Sequence, residues 1–189
     1  MSARLTASVD NLAGRMDAVA EAFPAPFGGA VIFLSWRGDS SHAVAEALQV
    51  ILKEHFPTAD VFFSPSSIDI GDDPMLEIFE KHLLQAQALV AVITAESASR
   101  PWVVWDFATV WSRKDRLVAP LFVDVDPGSI PGPLSLKIEG AKITDKIRVD
   151  RALSRIAEVL GVAAPESIAP DAWDKLMEVV AKAVNPVTN

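Results

Sequence analysis

The chain has 189 residues, half of them apolar, and carries 25 acidic against 17 basic side chains for a formal net charge of −8. That length supports one substantial core rather than two, and an acidic balance without a run of Lys or Arg offers no footprint for nucleic acid or an anionic membrane. There is no cysteine, which excludes disulfides, thiolate nucleophiles and Cys-based metal sites. The histidines His42, His55 and His82 stand singly in amphipathic stretches, so no metal centre is expected.

The first fifteen residues lack the continuous apolar segment of an export signal, and the longest apolar run, 88–95, is far shorter than a bilayer span. A cytoplasmic protein without a membrane partner is expected. Residues 5–23 place Leu5, Val9, Leu12, Met16, Val19 and Phe23 at helical spacing before a Pro- and Gly-rich stop. Residues 29–36 then form a short apolar run suited to a buried strand. From Ser41 to Phe56 the apolar spacing becomes three and four, predicting a helix that Asp39, Ser40 or Ser41 can cap.

The alternation continues. Strands are predicted at 59–64, 88–94 and 117–125, and helices at 74–87, 102–113, 146–160 and 171–184, with a Pro- and Gly-rich loop after Val125 whose strand content is doubtful. Strands that are apolar on both faces and alternate with helices predict an α/β fold: a doubly wound, mainly parallel sheet with helices on both faces. The expected division is a helical extension at 1–27, the α/β domain at 28–162 and a second helical extension at 163–189. In such sheets ligands sit at the carboxyl ends of the strands.

The loops there contain neither a dinucleotide fingerprint, nor a phosphate-cradling P-loop, nor a nucleophile elbow. They do contain Asp106 early on a helix, four residues after Trp102, a spacing that sets a carboxylate beside an indole on one helix face. A small-ligand pocket is expected there. Of Trp102, Trp105 and Trp111, at least one is expected in the core, and His82 is expected on the surface.

In order and spacing, residues 31–40, 61–94, 99–106 and 117–134 resemble the Toll/interleukin-1 receptor (TIR) domain, and more narrowly the bacterial TIR-like proteins. The likeness covers about 28–160. The family's box at the end of the first strand is matched by Phe33, Leu34, Ser35 and Trp36, its long second loop by Ile68, Ile70, Gly71 and Asp72, and its third-helix motif by Ser99, Trp102 and Asp106.

The resemblance implies a flavodoxin-like sheet and an enzyme that cleaves the nicotinamide–ribose bond of NAD, releasing nicotinamide and ADP-ribose or a cyclic isomer, commonly in antiviral defence. NAD is then the substrate, with no prosthetic group and no metal. Asp106 would hold the ribose, Trp36 and Trp102 would wall the site, and Arg37 with loop amides would take the pyrophosphate; Ser35 could hydrogen-bond a phosphate or the turn. Ile70, Gly71 and Ser99 would border the nucleotide. The resembled family also implies a homo-oligomer, in which the second loop contacts the next subunit, and a possible partner effector or sensor protein.

The chain departs from the family in one position: the catalytic glutamate is here Asp106. A carboxylate withdrawn by one methylene moves on the order of 1 Å, enough to cost about 100-fold in rate. Glu96 offers a second carboxylate from the same loop. The alternative reading is a non-catalytic TIR interaction or nucleotide-sensing module, and a sugar-transferring enzyme on a similar sheet is a third.

Overall fold

The computed structural model describes residues 29–63, 82–130 and 140–185. The helix expected at 5–23, the loop carrying Ile68, Ile70 and Gly71, and residues 74–81 of the helix expected at 74–87 lie outside the described residues; the chain is helical at 82–85.

Strand β1 (Val31–Ser35) is buried along its whole length. It is followed by helix α1 (Asp39–His55), whose Val44, Ala45, Leu48, Ile51 and Leu52 face the sheet. No side chain caps the start of α1 at Gly38, which has φ +90°. Instead the Ser41 hydroxyl accepts from the Arg37 N–H at 2.9 Å, tying the turn to the first helical residues. Strand β2 (Asp60–Phe63) and strand β3 (Ala88–Ile93) follow, then helix α2 (Pro101–Trp111), which has Pro101 in its first turn where no amide partner is needed.

Strand β4 (Leu117–Phe122) stops three residues earlier than its apolar run suggests. Asp124 turns the chain at φ +48°, and Asp126 Oδ1 accepts from Gly128 N–H in a 3₁₀ turn. A two-residue strand β5 (Ala141–Lys142) pairs with the end of β4. Such a short strand leaves no alternating pattern to read beside so many Pro and Gly. Helix α3 (Lys146–Leu160) starts at Asp145, whose side chain accepts from Arg148 N–H, and ends at Gly161, whose φ of +68° suits glycine.

All strands pair in parallel, in the order β2-β1-β3-β4-β5. Because side chains alternate along β1, Ile32 and Leu34 enter one core with α1 and α3, while Val31 and Phe33 enter the other with Val103, Phe107 and Val110 of α2. Helix α4 (Pro170–Val184) lies against α1 and buries Leu176 and Val180 in the first core, as does Ile168 just before it.

The link into α4 is clasped by Asp150 of α3. Its carboxylate accepts from the Ser167 hydroxyl at 2.6 Å and the Ile168 N–H at 3.0 Å, and pairs with Lys146 at 2.9 Å. Partial burial works to raise the Asp150 pKa, and these three partners together hold it below the usual value. Among the described residues, no helix is long and apolar enough to cross a membrane, and no group of three acidic or histidine side chains is arranged to hold a metal.

Candidate functional site

In this strand order the connections leave β1 and β3 in opposite directions, which makes their carboxyl ends the switch point where such sheets bind ligands. Ser35 closes β1, and the 3₁₀ turn Ser97–Ser99 and helix α2 follow β3. The turn is braced reciprocally: the Thr94 N–H donates to Ser97 Oγ at 2.8 Å, and the Ser97 N–H to Thr94 Oγ1 at 3.1 Å. That Thr-x-x-Ser spacing was the available signal for a residue pair that the sequence analysis does not single out.

Asp106 is the acidic member of the inward stripe of α2, among Val103, Phe107, Thr109 and Val110, and is 0% exposed. Its Oδ2 accepts from the Ser35 hydroxyl at 2.6 Å, while Oδ1 has no hydrogen-bond partner among the described residues. Burial pushes the carboxyl up to about 7; the Ser35 hydrogen bond and the nearby Arg37 charge pull the other way. Burial likewise lowers the Arg37 pKa, against the attraction of Asp106. Arg37 Nη1 donates back to the Trp36 carbonyl at 2.6 Å, so the guanidinium folds over its own loop beside the acid.

Glu96 pairs with Arg100 at 2.9 Å on the exposed rim. Its carboxylate also lies against Gly38, where a Cβ would collide with it. Gly38 therefore serves twice, supplying the positive φ before α1 and letting the β1 and β3 loops touch.

The structure thus brings Ser35, Arg37 and Asp106 together. It does not bring Trp36 to them. Trp36 follows Ser35 in the strand alternation and points to the opposite face, buried against His42 (ring centroids 4.2 Å apart) and Phe63 (5.3 Å). Trp102 is 43% exposed and meets Trp105 edge to face at 5.7 Å. Contrary to expectation, Trp102, Trp105 and Trp111 are all exposed, because the core-facing stripe of α2 runs through Val103, Phe107 and Val110. Ser99 lies in the 3₁₀ turn. Ile70 and Gly71 lie outside the described residues.

His82 also departs from expectation. Its side chain is 13% exposed, stacked on Phe62 at 3.9 Å, with Nε2 3.5 Å from Asp60 of the edge strand β2. Open cavities of about 450, 710 and 470 Å³ border β4, β5, α3 and α4, and none of them is lined by Asp106.

A five-stranded parallel sheet in this order, with a buried acid at its switch point, defines a flavodoxin-like α/β domain. The family model of the TIR domain matches residues 32–157, from β1 into α3, and the chain belongs to that family. No curated protein matches the chain.

Proposed function

We propose that this TIR domain cleaves the nicotinamide–ribose bond of NAD, with Asp106 as the carboxylate that meets the ribose. The observation that carries this reading is a wholly buried Asp106 at the carboxyl ends of β1 and β3, held on one oxygen by Ser35 and without a hydrogen-bond partner among the described residues on the other. As the bond breaks, its electron pair leaves with nicotinamide, which departs neutral, and positive charge grows on the ribose. A carboxylate fixed beside the sugar stabilises that charge and accepts from its hydroxyls. Water then adds to the ribose and releases a proton, giving ADP-ribose; capture by the substrate's own adenine base gives a cyclic isomer instead.

Only ionised Asp106 serves this role, and with its carboxyl near 7 the rate rises from pH 6 to pH 8. Ser35 and Arg37 both favour the ionised form, and in this reading Arg37 is the cation that meets the pyrophosphate. Trp102, exposed at the rim, offers a face for a flat base, and Ile70 and Gly71 would border the nucleotide, as the family resemblance implies. The active form in this reading is a cytoplasmic homo-oligomer in antiviral defence, whose product is read by a partner effector or sensor protein.

Purified protein incubated with NAD should release nicotinamide, and Asp106→Asn should lower the rate by about 100-fold or more. An unchanged rate in Asp106→Ala would remove this residue from the mechanism. The aspartate in place of glutamate favours a second reading, a non-catalytic nucleotide sensor. That reading predicts saturable NAD binding without nicotinamide release.

A further inference from the structure

Arg148, Arg151 and Arg155 follow one another at three and four residues along α3 and so share a helix face. All three line the cavity of about 450 Å³, together with the exposed Trp111 at the end of α2, residues 117–121 of β4 and Gly140. Among the described residues, no acidic side chain lines it. On a chain of net charge −8 this gathers three guanidinium groups over an apolar floor. We propose that this groove binds a small phosphorylated ligand with a flat ring, of the mononucleotide class, independently of the Asp106 crevice.

The volume falls in the range of small-molecule sites, roughly 300–1,000 Å³. Arg155 is held by Glu158 at 2.9 Å and Arg148 by Asp145 at 3.5 Å, while Arg151 has no ion-pair partner among the described residues. Two tethered guanidinium groups flanking a third present planar forks of donors, the geometry that phosphate oxygens accept. Trp111, 55% exposed, supplies an indole face for a ring.

An extended peptide fits less well. Among the described residues β5 pairs with Leu121 and Phe122 alone, and Pro120 of β4 has no N–H to offer an added strand. A long phosphate backbone would run from this groove onto the acidic remainder of the surface.

Isothermal titration of the full-length chain with AMP, inorganic phosphate and adenosine tests the proposal. AMP should bind saturably, phosphate more weakly, and adenosine weakest. Arg151→Glu should weaken AMP by about tenfold or more, as loss of a charged hydrogen bond implies. Arg151→Ala should weaken it in the same direction, and circular dichroism of both variants should match the parent. Trp111→Ala should bring AMP down to the affinity of phosphate, and Asp106→Asn should leave AMP binding unchanged. AMP binding that survives Arg151→Glu, or that disappears in Asp106→Asn, overturns the proposal. So does a concentration-dependent dimer lost in Arg151→Glu without any AMP binding, which would make the groove a protein contact.

Discussion

Replacing Asp106 with Asn removes an ionisation that the folded chain opposes. The carboxyl titrates at about 7 when folded and near its ordinary 3.8 when unfolded, so between those values the native state binds the proton more tightly. Stability therefore falls as pH rises from about 4 to 7, by about 1.4 kcal/mol per pH unit, and levels off above that window some 4 kcal/mol lower. Because Asp106 is fully buried, solvent screens little of this. Asn keeps the shape and can still accept from Ser35, but it does not ionise. Urea unfolding of both proteins between pH 4.5 and 8.5 should give curves that nearly meet at the acid end and diverge toward pH 8, with the Asn variant more stable. Other titrating groups cancel in the difference. Two curves that run parallel across the range would refute the claim that burial of this acid dominates its chemistry.

Ser35→Ala removes the hydrogen bond that favours ionised Asp106, so the acid limb of any activity profile should move above pH 7. Its urea stability at pH 8 should fall by about 1–3 kcal/mol, and by less at pH 5. Asp150→Asn should cost about 1 kcal/mol at pH 7, discounted for its partial exposure. The folded Asp150 pKa is depressed, so its stabilisation is present above the ordinary 3.8 and lost as pH falls through the folded value; the two stability curves should converge in acid. Leu176→Ala should cost about 2–5 kcal/mol by chemical denaturation, since α4 shares the core with α1 although it lies beyond the family match.

The strand–helix alternation was legible because hydrophobic period reports burial directly: β1, β3 and α3 fall within the segments 29–36, 88–94 and 146–160 that the pattern predicts. The end of β4 and the existence of β5 were not, since both depend on an Asp at positive φ and on pairing with a distant strand rather than on any local period. At the site, Asp106 and Ser35 could be chosen from the sequence, but their contact spans 71 residues and follows from the β1–β3 pairing. The four-residue spacing of Trp102 and Asp106 misleads about exposure. Position 102 opens the helix at the sheet rim, whereas position 106 lies beneath it, flanked by Val103 and Phe107. The arginines of α3 show no charge run in the sequence, because helical spacing collects them onto one face only once the helix forms.

The substitution Asp106→Glu separates the two readings of this domain most sharply. One added methylene lengthens the side chain by about 1.5 Å, and the carboxyl it displaces already touches Ser35 at 2.6 Å with no exposed surface around it. If the longer side chain stays inside, overpacking should cost about 1–3 kcal/mol. If it swings toward the crevice, the carboxyl leaves the apolar surroundings that raise its pKa, and its titration should drop toward the ordinary range. For an enzyme limited by a retracted acid, the second route predicts a gain in kcat of about 10- to 100-fold, with the acid limb of the profile moving below pH 7. For a sensor that needs the acid buried, the same variant loses stability and gains no nicotinamide release. A faster variant whose pH profile does not move would contradict both accounts, because neither lets the carboxyl approach the sugar while keeping its buried titration.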